Sequence, residues 1–218
     1  LVIAGAFLSH ELQRPALLLK EGWYSVDTRF PSRLEDRARE ARIAEIEAAV
    51  SAYLAEGAKV VVLPESILPG FSAVDELMLN PLHVKAQRAG ATVLLGVTLD
   101  TGPGAWRNAI YALGAGPRGI IAESRIPVPV GNWRLSGGVP FRGFRGGVAA
   151  VAGERAHIAI CYEEMPLWAY RDATGASVLV TAANHWMLRG SVAQRYPRTI
   201  AEAVARLMRL PIVRAVNS

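Results

Sequence analysis

The sequence predicts a layered α/β domain. Three observations carry this expectation: a helical-period apolar stripe early in the chain, short continuous β-branched runs at both ends, and strand-like runs between them separated by tight turns. Ser32 with Glu35 three residues later is a capping-box pattern that opens a helix. Its buried stripe reads Ile43, Ile46, Val50, Tyr53 and Leu54, and Gly57 stops it. Residues 58–63, Ala-Lys-Val-Val-Val-Leu, suit a strand covered on both faces, ending abruptly in Pro64-Glu65. A second helical stretch, residues 73–89, is interrupted at Pro81 and closed by Gly90.

Strand-like runs follow at residues 91–98, 106–113 and 119–125, with turns at 101–104 and 114–117. Residues 126–147 read as a long irregular loop, a length that usually marks function or disorder. Residues 148–152 and 155–160 flank a hairpin turn at Gly153-Glu154. A short helix ending near Gly175, a buried strand at 176–182, a polar loop at 183–187, a helix at 192–210 and a strand at 212–216 complete the chain. The order is β-α-β-α-β-β-β-loop-β-β-α-β-α-β. With no internal repeat and no linker, it is one domain.

Composition supports this reading. Of 218 residues, 51 % are apolar and 20 % charged, which excludes disordered and collagen-like chains. No stretch reaches the roughly 18–20 apolar residues of a membrane span, and the apolar opening at residues 1–8 is too short. The single cysteine, Cys161, excludes a disulfide framework and, with four histidines, argues against a zinc site; no metal or cofactor is expected. Neither a phosphate-binding Gly-x-x-x-x-Gly-Lys loop nor a Gly-x-Ser-x-Gly elbow occurs. The net charge of +5 fits anionic partners without demanding them. The arginines are scattered except in Arg142-Gly-Phe-Arg145-Gly-Gly147, which resembles an arginine-glycine RNA box but reads as a glycine-rich turn, so nucleic acid is not the expected partner.

Three places stand at strand ends, where a rigid scaffold presents reactive groups. A partly desolvated carboxylate at Glu65 has a raised pKa and suits general-base work, against the plainer reading of a cap or an arginine partner. Cys161 follows an apolar strand and precedes a helix. A strand-to-helix elbow of this kind exposes a nucleophile and aims helix N–H groups at it, lowering the thiol pKa, whereas the plainer reading is an inert core thiol. The third place, residues 123–132, leaves a strand and enters the long loop.

Together these motifs resemble the nitrilase, or carbon–nitrogen hydrolase, superfamily over residues 23–218, most closely its apolipoprotein N-acyltransferase branch and the TraB-type conjugal-transfer relatives. Leu63-Pro-Glu65 is similar to the general-base motif, Val128-Pro-Val-Gly131 to the acyltransferase loop, and Ile160-Cys-Tyr-Glu163 to the nucleophile motif. Asn108 and Asn184-His-Trp186 stand where relatives carry further asparagine motifs. The resemblance implies a four-layer αββα sandwich with a Cys–Glu–Lys triad, incomplete at the C-terminal end, where an exposed sheet edge would invite a partner copy. It implies Cys161 as nucleophile and Glu65 as base, with Glu163, Tyr162, Asn132, Trp133, Asn184 and Trp186 around the substrate.

The chain departs from that pattern at the lysine, whose place falls on Ser124; no lysine follows Lys85. The adjacent Arg125 is the candidate substitute, although alternation along a strand turns it away from the face of Ser124. Neutral Asn132 replaces the acyltransferase's glutamate. The expected activity is therefore acyl transfer or amide hydrolysis with an altered third member, on a small amide or a phospholipid acyl donor; the alternative is a non-catalytic scaffold in conjugation or envelope assembly. Residues 1–22 read as an extension following a membrane anchor, which implies a tethered domain outside the inner membrane, with a cytoplasmic location as the alternative.

Overall fold

A computed structural model describes residues 16–31, 33–102, 105–127, 141–143, 145–188 and 190–218. One sheet has the order β1 (Trp23–Ser25), β2 (Val60–Val62), β3 (Thr92–Gly102), β4 (Ala105–Gly114) and β5 (Gly119–Glu123), parallel from β1 to β3 and antiparallel from there to β5. The other has the order β6 (Val148–Val151), β7 (Glu154–Ile160), β8 (Val178–Asn184) and β9 (Ile212–Asn217), antiparallel at β6–β7 and parallel beyond.

Alternation along the strands sorts side chains into layers. Val60, Val62, Leu94 and Ile110 of the first sheet meet Ile158, Ile160, Val180 and Ala215 of the second in a core between the sheets. Val61, Val93, Leu95 and Tyr111 face the other way, onto Ile43, Ile46 and Val50 of α1 (Asp36–Ala55) and Leu82 and Ala86 of α3 (Asn80–Arg88), which follows the short α2 (Ala73–Met78). On the far side, Ala159 and Leu179 pack against Tyr170 and against Ala201, Val204 and Ala205 of α4 (Arg195–Met208). The result is the expected four-layer αββα sandwich. Fully burying each valine contributes about 1.5–3 kcal/mol, so β2, only three residues long, is held by burial on both faces more than by its ladder.

Several boundaries differ from the sequence expectation. The first helix begins at Asp36 with Glu35 at its N-cap, whose carboxylate accepts from Arg37 Nε at 2.7 Å and caps nothing; Ser32 lies outside the described residues. The break in the second helical stretch falls at Leu79, with Pro81 in the first turn of α3, where a missing N–H is harmless. The β6–β7 turn is Ala152-Gly153, both with positive φ (49° and 79°), the combination a two-residue hairpin of the I′ type needs. After Cys161 the chain forms not a regular helix but two 3₁₀ segments, Cys161–Glu164 and Leu167–Ala173, divided by Pro166. Strand β8 continues through Asn184 into the expected polar loop.

The outer edge of β9 is closed by the chain itself. Ile212 N donates to Leu18 O at 3.2 Å, Val216 N to Asp27 Oδ1 at 2.8 Å, and Ser218 N to Thr28 O at 2.9 Å. The exposed edge expected there is thus occupied intramolecularly. Among the described residues no helix is long and apolar enough to cross a membrane. Trp23 is buried between the sheets and Tyr24 packs on Tyr53, so both serve the core.

One glycine positions the site. A Cβ on Gly96 of β3 would run into the Pro64 carbonyl oxygen and come within 2.5 Å of Glu65 Cα. Gly96→Ala is therefore expected to lower stability by about 3 kcal/mol, measured by urea unfolding, because backbone on both sides must move.

Candidate functional site

Strands β2 and β7 lie in different sheets, and each leads at its C-terminal end to one candidate reactive group. Beyond β2 come Pro64 and Glu65, and then Ser66 turns the chain with φ +54°. Beyond β7, Cys161 itself takes φ +56°. Left-handed backbone at a residue with a side chain costs on the order of 1–3 kcal/mol and persists only where the surroundings enforce it. These kinks stand next to Glu65 and at Cys161, and the thiol and the carboxyl act on one another electrostatically, each shifting the other's pKa.

Glu65 is 4 % exposed. Its Oε1 accepts from Asn108 Nδ2 on β4, and its Oε2 from the backbone N of Asn184 at 2.9 Å. The Asn108 amide is oriented in turn, since its Oδ1 accepts from Ser66 Oγ at 3.0 Å and Thr98 Oγ1 at 3.2 Å. Arg42, buried on α1, donates to the Ile67 carbonyl at 3.3 Å and anchors the segment just beyond Glu65.

Burial pushes the Glu65 carboxyl up to about 7, and nearby Glu164 adds to the rise, although the Cys161 thiol, the Asn184 N–H and the Asn108 amide pull the other way. The Cys161 thiol is also pushed up, by burial first and then by the carboxylates of Glu65 and Glu164. This corrects the expectation of a lowered thiol pKa. A four-residue 3₁₀ turn has almost no dipole to offer; only the Tyr162 N–H acts to lower the thiol, and two carboxylates outweigh it. The ground state is accordingly a neutral thiol beside a base poised near neutrality.

The solved structures this chain resembles include an amidase from Nesterenkonia sp., a member of the nitrilase superfamily, at 15 % identity and TM-score 0.61, covering 92 % of this chain and 78 % of that one. The Nesterenkonia amidase in complex with acrylamide gives 14 % identity and TM-score 0.63 over 93 % and 79 % of the two chains. A carbon-nitrogen hydrolase from Helicobacter pylori gives 14 % identity and TM-score 0.61 over 89 % and 72 %. The fold is that of the nitrilase superfamily. In sequence the chain is similar to the conjugal transfer protein TraB of Agrobacterium fabrum (25 % identity over 215 residues) and to a probable TraB of Sinorhizobium fredii (27 % over 210 residues). The matches cover 92 % of this chain and 49 % and 53 % of those proteins, so the chain spans about half the length of these relatives. No family model matches the chain.

Within this nitrilase-type fold the candidate residues take different places. Ser124, expected at the lysine's place, is buried and donates its backbone N–H to the Asn108 carbonyl at 2.8 Å, which sets it beside the Glu65 network. Arg125 is turned away. Its guanidinium donates to Glu163 Oε2 at 3.2 Å and to the carbonyls of Gly146 (2.8 Å) and Ala169 (3.4 Å), so it is committed to the scaffold rather than standing in for the lysine. Gly147 makes room for it, since a Cβ there would come within 2.8 Å of the guanidinium carbon; the arginine-glycine motif is thus the wall of this niche.

Glu163, expected around the substrate, is fully buried and accepts from the backbone N–H groups of Arg125 (2.6 Å), Ile126 (3.0 Å) and Ile160 (3.1 Å). Both its oxygens are occupied, and it fastens the end of β7 to the segment after β5. Tyr162 packs its ring on the outer core, while Trp186 is about half exposed. Asn184 meets Glu65 through its backbone N–H, and its Oδ1 accepts from Asn217 Nδ2 at 3.1 Å. Asn132 and Trp133 lie outside the described residues. The sequence reading missed Glu164, Arg214 and Arg42, whose roles depend on long-range partners that no local pattern marks.

On the far side of Glu163 and Arg125, His157 of β7 is fully buried, 5.7 Å from the Tyr170 ring, and among the described residues neither of its nitrogens makes a hydrogen bond of good geometry, although the Ala169 backbone acts on it. Burial and the Arg125 charge push it down to about 4 from an ordinary 6.5. Between those values the unfolded chain binds a proton that the folded chain refuses. This group therefore removes stability as the pH falls through that window, by up to about 3 kcal/mol. Glu65, raised in the folded state, acts in the opposite sense as the pH rises from 4.5 to about 7. The two are separated by comparing wild type with His157→Leu in urea melts at pH 4 and pH 7. The variant is expected to gain stability relative to wild type at the lower pH.

Proposed function

We propose that the chain carries out cysteine-dependent acyl transfer or amide hydrolysis through an acyl-enzyme on Cys161. The observation behind this reading is the mutual electrostatic influence of the Cys161 thiol and the buried, near-neutral Glu65 carboxyl. Glu65 takes the thiol proton as sulfur attacks the acyl carbon, and the carbonyl π pair moves onto oxygen. Collapse of the tetrahedral adduct expels the leaving amine or alcohol, which receives the proton from Glu65 and leaves a thioester. Water or an amine acceptor then gives its proton to Glu65, attacks the thioester, and Cys161 recovers its proton as it departs.

The third member is the weak point of this site. Ser124 is neutral, and loss of a preorganised oxyanion partner typically costs about 10²–10³ in rate, so turnover is expected to be slow. The acyl donor is a small amide or a lipid ester. Exposed Leu167, Trp168 and Trp186, on the segments that follow Cys161 and Asn184, favour an apolar donor. The similarity to TraB supports a role in conjugal transfer, and with it an envelope setting. A second reading, a scaffold that keeps the fold without the chemistry, draws on neutral Ser124 and on the engagement of Arg125 with Glu163.

The two readings separate on intact mass after incubation with p-nitrophenyl esters and with phospholipid vesicles. An adduct of acyl mass on wild type, absent from Cys161→Ala and formed at least tenfold more slowly by Glu65→Gln, is the expected result. A folded wild-type protein that acquires no adduct favours the scaffold.

A further inference from the structure

Cys161 and Glu65 share their surroundings with a second fully buried carboxylate. Glu164 lies three residues beyond Cys161 on the same 3₁₀ turn, with no solvent exposure. Arg214 of β9 grips it with two bonds, Nε to Oε1 at 2.9 Å and Nη2 to Oε2 at 3.1 Å. His185, the residue after Asn184, places Nε2 3.5 Å from Oε2. Tyr170 donates its hydroxyl to the Glu164 backbone carbonyl at 2.8 Å. The remaining neighbouring charges are accounted for: Glu163 is paired with Arg125, and Glu65 is held by Asn108 and Asn184.

Nothing in the acyl-transfer steps consumes Glu164, yet burying an ion of this kind costs several kcal/mol unless it is paired and bonded. The fold supplies an arginine fork from within β9 and a histidine from just beyond β8. We propose that Glu164, fixed by Arg214 and His185, is a positioning residue whose charge keeps the shared proton on the Cys161–Glu65 pair. This rests on the Cys161–Glu65 reading above and adds the group that governs it. The direction follows from Coulomb's law. A fixed negative charge beside the pair opposes both thiolate and carboxylate, so it keeps the proton within the pair until an acyl carbon draws sulfur forward. The shifts agree: Glu164 contributes to the rise at both Glu65 and Cys161. Its own carboxyl stays ionised, because His185 and Arg214 together outweigh the burial that pushes it up.

The chain has one cysteine, so alkylation by iodoacetamide reads Cys161 alone. The experiment is the pH profile of that alkylation for the 218-residue protein and for Glu164→Gln and Arg214→Gln, each checked for folding by circular dichroism. Glu164→Gln is expected to lower the midpoint by about one pH unit, a roughly tenfold rate gain at fixed pH below it. Arg214→Gln, which leaves Glu164 without its main counter-charge, is expected to raise the midpoint. Opposite movements separate an electrostatic role from mere disruption, which moves both variants the same way. If Glu164→Gln does not fold, the double variant Glu164→Gln/Arg214→Gln replaces it and is expected to fall below Arg214→Gln alone. An unchanged or raised midpoint on loss of Glu164, or parallel shifts in both single variants, overturns the inference. Because no acyl substrate enters this assay, its outcome is independent of whether an acyl adduct forms.

Discussion

A carboxyl group taken out of water must be given donors, a counter-charge or a proton, and Glu65 is given the first and the last. Two nitrogen donors, one from a side chain and one from backbone, fix its oxygens, and the neighbouring thiol supplies a proton it can accept. Everything else in the site serves that arrangement. The sandwich packs the sheet that holds β2 against the sheet that holds β7, left-handed kinks follow Glu65 and fall at Cys161, and Gly96 lets Pro64 and Glu65 lie against β3.

Three glutamates meet in this region and do three different jobs because their partners differ. Glu65 has neutral donors only and rises toward neutrality. Glu163 takes three backbone N–H groups and the Arg125 guanidinium, so it acts as a buried fastener between the end of β7 and the segment after β5. Glu164 has Arg214 and His185 and remains a fixed charge. Removing one partner from such a buried pair typically costs 3–5 kcal/mol, which is why these networks hold the site rigid.

Much of this was legible in the sequence. The β-branched run ending in Leu63-Pro-Glu65 and the apolar strand ending in Cys161 are strong local patterns, and each placed its reactive group at a strand end. Arg125, offered as a substitute for the lysine, lies beyond the end of β5 and is paired with Glu163. What stayed hidden depends on contacts distant in sequence. Asn184 looked like loop because asparagine is a poor strand former, yet β8 carries it far enough for its N–H to reach Glu65. The Cys161 elbow suggested a helix dipole, but Pro166 and the tight turn leave only 3₁₀ segments, and the thiol rises. Glu164 gave no local signal because Arg214, its main partner, lies fifty residues away.

The proposed chemistry depends on the coupling between the Glu65 carboxyl and the Cys161 thiol. It is tested most directly by infrared titration of the Glu65 carboxyl stretch, with the band identified by its loss in Glu65→Gln. The expected midpoint lies near 7 and moves up when Cys161→Ala removes the thiol that lowers it. A midpoint at the ordinary 4.5, indifferent to Cys161→Ala, would contradict it.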